Sequence, residues 1–151
     1  MIFGQKFIIF MATGFFSGKI PFAPGTFGTI AAIPFALILM IIPVFFHVVY
    51  IVCLILAAIY FADKAQKIIK KKDPGCIVID EIAGYVVALS IVPVNIYTLG
   101  AGFFIFRFFD IIKPLPVKYF EENFSGGAGI VLDDIMAGIL TAIVLKILYS
   151  A

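Results

Sequence analysis

The chain has 151 residues, 64% of them hydrophobic and 13% charged, with a formal net charge of +2. An ordinary soluble domain carries roughly 25% charged residues, so this chain cannot cover a water-facing surface and reads as a membrane protein. The small positive balance is spent at the ends of apolar runs and leaves no basic, aromatic-interleaved patch, which excludes a nucleic-acid partner.

In chain order, Lys6 precedes the apolar stretch "FIIFMA". A secretory signal would need an A-x-A-like cleavage site, and none follows, so an N-terminal amphipathic or re-entrant helix is expected. Between Lys19 and Asp63 no Asp, Glu, Lys or Arg occurs, room for two helical spans of about 20 residues each, with Pro43 and Phe45 to His47 as the turn between them. Lys64, Lys67, Lys70, Lys71 and Lys72 crowd the end of the second span, whereas the opposite turns, around His47 and around "PVNIYTLG", carry no Lys or Arg. That bias predicts a cytoplasmic loop; an anchor for anionic lipid headgroups is the weaker reading. The charge-free run from Glu81 to Arg107, broken by "PVNIYTLG", predicts a helical hairpin of two short arms, and a last span runs from Ile135 to Tyr149. Runs of helical length, without alternating ten-residue strands, favour helices over a barrel. The expectation is an all-α, polytopic helical membrane protein. It has about five short apolar helices plus the N-terminal helix, in a single membrane-embedded domain over residues 1–151. Cys53 lies in an apolar span and Cys76 in a polar loop, so no disulfide is expected.

Threaded with that orientation, "SGKIPFAPGTFGT", "KKDPGCIVIDE", "RFFDIIKPLPVK" and "SGGAGIVLDD" all reach the cytoplasmic face. Charges at or within a membrane are costly and call for partners, which makes them functional candidates. The second and fourth stretches echo each other as I-V-[IL]-D-[DE]-I, setting Asp80 beside Glu81 and Asp133 beside Asp134. Asp80 and Asp133 could be N-caps with a dipole-favoured acid after each. Two adjacent acids are costlier to hold there, and hard divalent cations such as Mg²⁺ bind through a few carboxylates, waters and phosphate oxygens. Gly84 and Gly138, four residues beyond Asp80 and Asp134, offer small surfaces on which two helices could close up.

Arg107, Asp110 and Lys113 recur at three-residue intervals on one side of a helix that Pro114 should end. They could be a snorkelling interfacial face with an internal Arg–Asp pair. Alternatively Asp110 goes to the metal and the two cations to phosphate, for which the planar guanidinium is well shaped. "PFAPGTFGT", with Thr26, and "FSGGAG" could aim backbone amides at an anion, although neither matches a nucleotide-phosphate loop and ordinary turns explain both. The single histidine, His47, lies at the far turn, no cysteine is followed by Arg at phosphatase-loop spacing, and the acid pairs are adjacent rather than separated by one residue. Hydrolysis by water that a divalent cation activates is the phosphate chemistry left.

"TGFFSGKIPFAPGTFGT", "DPGCIVIDEIAG", "GFFIFRFFDIIKPLP" and "GGAGIVLDDIMAG" together resemble the successive motifs of the phosphatidylglycerophosphatase A family, in order and over most of the chain. The resemblance implies a Mg²⁺-dependent phosphatase of the bacterial cytoplasmic (inner) membrane, with its site facing the cytoplasm. It would convert phosphatidylglycerophosphate to phosphatidylglycerol. It implies Asp80, Glu81, Asp110, Asp133 and Asp134 as catalytic and metal-binding acids, and Arg107, Lys113, Lys19 and Thr26 as phosphate-binding residues. Phe16 and Phe22 depart from the smaller or more polar residues expected in the first motif. Two readings remain beside this one: a small transport or scaffold subunit built on buried ion pairs, and a phosphatase for another lipid phosphate.

Overall fold

The computed structural model describes residues 3–150, and among them every regular element is helical. Helix α1 (Phe3–Ala12) ends where Gly14, Phe15 and Phe16 all take positive φ, turning the chain into the short turn Ser17–Lys19. Helix α2 (Pro24–Ala31) opens on a proline, which has no amide to leave unpaired in the first turn. Ala32 keeps helical angles, so α2 and α3 (Ile33–Ile41) follow one another as an apolar stretch of 18 residues. Helix α4 (His47–Ile69), with the turn Val44–Phe46 before it, gives a second apolar stretch of 26 residues. Pro43 thus ends one span and starts the next.

The hairpin follows as two short arms, α5 (Ile79–Leu89, 11 residues) and α6 (Ile96–Ile112, 17 residues). Asn95 starts α6 with a capping box: its side chain accepts from the amides of Tyr97 and Thr98 at 2.9 and 3.1 Å, while the Thr98 hydroxyl accepts from the Asn95 amide at 2.8 Å. Lys113 closes α6 in the left-handed conformation just before Pro114. After α7 (Val117–Asn123), α8 (Gly126–Ser150) is the third helix long and apolar enough to cross a membrane.

Helix α5 sits at the centre, and every residue of it except Glu81 is buried. Its fit against α8 depends on glycine. A Cβ on Gly84 would lie 2.6 Å from the Asp134 carbonyl oxygen and 2.8 Å from the Phe106 ring, and one on Gly138 would collide with the Gly84 carbonyl. Without a hydrophobic drive between helices in lipid, such small-residue contacts carry the packing. Tyr85 ties the hairpin together by donating to the Leu99 carbonyl at 2.7 Å. The outer surface is the reverse of a soluble protein's: Val48, Val49, Val52, Leu56 and Tyr60 of α4, Phe104 and Ile111 of α6, and Ile143 and Ile147 of α8 are all exposed. Hydrocarbon outside and carboxylates inside is the arrangement a bilayer selects.

Two segments differ from the sequence reading. "FSGGAG" does not form a turn; Gly126 begins α8, nine residues before the expected start at Ile135. Gly127 is needed there because its Cβ would strike the Ile59 carbonyl and come within 2.8 Å of the Asp63 amide nitrogen, so α8 begins in contact with α4. Likewise "PFAPGTFGT" is helical from Pro24 onward.

Candidate active site

Asp80 and Glu81 occupy the first turn of α5, after Val78, whose amide donates to the Ala12 carbonyl at 3.0 Å. They are therefore not N-caps. Asp133 and Asp134 lie two turns inside α8 rather than at its mouth, so capping explains neither. Asp80, Asp133 and Asp134 are 9%, 4% and 3% exposed, which places three carboxylates under cover, with the less buried Glu81 beside them.

The Gly84–Gly138 contact brings α5 and α8 close enough for Asp80, Glu81 and Asp134 to offer oxygens within 4.8 Å of one another. Arg107 of α6 reaches the same place. Its guanidinium is 3.8 Å from Glu81 Oε1 and bonds Asp110 Oδ2 directly, with both side chains largely covered. Asp110 also faces Asp134. Asp133 projects elsewhere: its Oδ2 takes a hydrogen bond from Lys113 Nζ at 2.6 Å, and the same ammonium donates to Glu121 Oε1 at 2.9 Å. Burial of Lys113 works to lower its pKa, but the bonds to Asp133 and Glu121 outweigh it and hold the group above the ordinary lysine value.

Of the acids expected at one centre, the structure gathers Asp80, Glu81 and Asp134, with Asp110 beside them on Arg107, and leaves Asp133 in its own bridge. Lys113 is engaged by two carboxylates, and Lys19 is exposed with its ammonium 4.6 Å from the centre of the Phe16 ring. Neither reaches the trio. Thr26 lies in the first turn of α2, next to a residue that sequence reasoning passed over. A Cβ on Gly25 would lie 2.5 Å from Glu81 Oε1 and 2.7 Å from an Arg107 nitrogen, so the start of α2 forms a wall of the site. The Pro-Gly-Thr at a helix start was the available signal. Asp63 was also missed; it accepts from the Gly127 amide at 3.4 Å, stabilising the start of α8 from another helix.

Asp80 Oδ1, Glu81 Oε2, Asp134 Oδ2, Asp133 Oδ1 and Arg107 Nε are buried without a hydrogen-bond partner. Buried polar atoms are ordinarily satisfied. Three carboxylates, each with a spare oxygen, fit a hard divalent cation, and a guanidinium with a spare donor fits an anion beside it. A larger cavity of about 500 Å³, lined by Leu39, Met40, Val44, His47 and Val92 among others, lies at the other end of the bundle. Its lining offers no comparable chemistry, and His47 there contacts the Leu39 carbonyl at 3.0 Å.

A charged centre enclosed by helices with hydrocarbon exteriors defines a polytopic membrane protein with a polar centre inside the bundle. The sequence profile described as Phosphatidylglycerophosphatase A matches residues 10–149. Phosphatidylglycerophosphatase A of Escherichia coli (strain K12) is 38% identical over 133 residues, covering 87% of this chain and 77% of that protein. The protein of the same name from Haemophilus influenzae is 37% identical over 136 residues, covering 89% and 83%. A Bacteroides thetaiotaomicron protein named as a candidate phosphatidylinositol-3-phosphatase is 35% identical over 147 residues, covering 92% and 91%. No solved structure matches. The chain belongs to the phosphatidylglycerophosphatase A family.

Proposed function

We propose that this protein is a Mg²⁺-dependent phosphatase that hydrolyses phosphatidylglycerophosphate to phosphatidylglycerol and inorganic phosphate. It works as one membrane-embedded domain of the bacterial cytoplasmic membrane, with the site facing the cytoplasm. The observation that carries the reading is the trio Asp80, Glu81 and Asp134, each with a buried, unpartnered oxygen, beside an Arg107 with an unpartnered donor. The lysines at the end of α4 support the orientation, and the length and the turn after α1 suit a helix that re-enters the face it left.

Asp80, Glu81 and Asp134 would hold the cation. Held there, Mg²⁺ would supply charge to offset the phosphoryl oxygens and would make water easier to deprotonate. Arg107 binds the phosphate by its planar fork, and Asp110 fixes the direction of that fork. Water attacks phosphorus as the bond to the glycerol oxygen breaks. A carboxylate of the group takes the water's proton and passes it to the departing alkoxide, so the proton count closes. Water attacks directly in this scheme, so no side chain is esterified.

The relative named for phosphatidylinositol 3-phosphate favours a second reading in which the same chemistry serves another headgroup. The test is phosphate release by purified protein from a panel containing phosphatidylglycerophosphate, phosphatidylinositol 3-phosphate and phosphatidic acid, with Mg²⁺ or excess chelator. Chelator-sensitive release that is fastest from phosphatidylglycerophosphate is expected. Fastest release from phosphatidylinositol 3-phosphate would select the second reading. Cation-dependent ligand movement without phosphate release would return a transport role.

A further inference from the structure

Asp133 is left over by the site just described, although it is 4% exposed and its Oδ1 has no partner. That side chain lines a polar cavity of about 160 Å³ bounded by Gln66, Lys72, Asp73, Glu121 and Ser125. The cavity adjoins a shallower depression lined by Lys67 and Lys71, with Gln66, Lys72, Ser125 and Gly126 common to both. The charges are therefore graded: Asp73, Glu121 and Asp133 line the inner cavity, Lys72 lines both, and Lys67 and Lys71 line the outer depression alone. Lys67 is already bonded to Asp63 at 2.6 Å, which leaves Lys71 and Lys72 for an incoming anion. Glu121 and the other oxygen of Asp133 are taken by Lys113, which leaves Asp133 Oδ1 as a buried acceptor without a partner at this cavity.

That order matches a ligand carrying a scissile phosphate, then a hydroxyl-bearing linker, then a second anionic group. We infer that the cavity between Asp133 and Lys72 is a headgroup-selecting subsite. Asp133 Oδ1 accepts the hydroxyl of the glycerol linker, and Lys72, with Lys71 behind it, holds the phosphodiester that joins the headgroup to the diacylglycerol. This rests on the phosphatase reading and adds its basis for discrimination: a lipid phosphomonoester without linker or second phosphate leaves Asp133 Oδ1 unpaired, and a buried acceptor left unpaired penalises the wrong ligand. The Asp133–Asp134 pair then divides its work, Asp134 toward the phosphate being released and Asp133 toward what it is released from.

The wild-type protein provides the first test, so folding of a variant is not at issue. Three substrates in identical mixed micelles are compared by kcat/KM: phosphatidylglycerophosphate, its analogue with a propane-1,3-diol linker lacking the middle hydroxyl, and phosphatidic acid. Preference for the natural linker over the deoxy analogue by about tenfold is expected, with phosphatidic acid poorer still. In Lys72→Met the ratio of kcat/KM for phosphatidylglycerophosphate to that for phosphatidic acid should fall about tenfold. Equal rates on the hydroxylated and deoxy linkers, or an unchanged ratio in Lys72→Met, would overturn the subsite while leaving the phosphatase reading intact. Phosphate release from none of the three lipids would overturn that reading, and the subsite with it.

Discussion

Replacing Gly84 by alanine tests whether the approach of α5 to α8 builds the site. The added Cβ would stand 2.6 Å from the Asp134 carbonyl oxygen and 2.8 and 2.9 Å from two Phe106 ring carbons, where ordinary contact begins at 3.4 Å. The helices must therefore part by about 0.8 Å at that level, since 3.4 less 2.6 is 0.8. The obstacle is backbone on one side and a fully buried ring on the other, so no flexible side-chain end can yield. Overpacking of this kind costs about 2 kcal/mol. The larger effect is catalytic. Asp80 and Glu81 ride on α5 and Asp134 on α8, so their separation grows with the helix spacing, and a misplacement near 1 Å is worth about 100-fold in rate. The assay is phosphate release from phosphatidylglycerophosphate against Mg²⁺ concentration, alongside thermal unfolding in detergent. Gly100→Ala is the control, since a Cβ there meets nothing within 4 Å. Parent-like activity and Mg²⁺ dependence in Gly84→Ala would refute the claim that this contact sets the ligand spacing.

Other consequences follow from named contacts. Arg107→Lys should lower kcat/KM about 100-fold, because an ammonium cannot reproduce the fork that Asp110 orients; recovery of normal rates in the lysine variant would remove Arg107 from phosphate binding. Lys113→Met should destabilise the protein by about 3 kcal/mol by stranding the buried Asp133, whereas Lys118→Met, whose pair with Glu122 is exposed, should change stability by less than about 1 kcal/mol; denaturation of both variants makes the comparison. The Lys113 bridge should hold at neutral pH. A group whose folded pKa is raised contributes fully below its unfolded value of about 10.4 and loses that contribution only as pH rises through the folded value, so unfolding curves in which the Lys113→Met difference is already gone between roughly pH 7 and pH 9 would contradict it. Cys76 should react with a membrane-impermeant thiol reagent from the cytoplasmic side only, and Cys53, on the lipid-facing surface of α4, from neither; labelling of Cys76 in intact cells from outside would invert the topology.

The parts of this site that were legible in the sequence are those set by local spacing. The i, i+3 recurrence of Arg107 and Asp110 gives their ion pair, and Gly84 and Gly138, each four residues past an acid, give the helix contact. Charge-free runs marked the first two long apolar stretches and the short hairpin. What was hidden depends on partners distant in sequence. "FSGGAG" has the composition of a turn, yet it is helical because α4 approaches so closely that Gly127 is required, and that displaced Asp133 and Asp134 from helix mouth to helix interior. Adjacent residues on a helix point about 100° apart, so an acid pair that reads as one device serves two places. The role of Gly25 was invisible for the same reason, since its neighbours Glu81 and Arg107 belong to other helices.

The central claim is that Asp80, Glu81 and Asp134 together hold a divalent cation. Mn²⁺ binding to chelator-stripped protein, followed by electron paramagnetic resonance of the free ion, measures this without reference to turnover. Saturable binding in the parent protein, competed by Mg²⁺, should be lost in Asp134→Asn and kept in Asp73→Asn, whose carboxyl is outside the trio. Equal Mn²⁺ binding by the parent protein and Asp134→Asn would contradict the account.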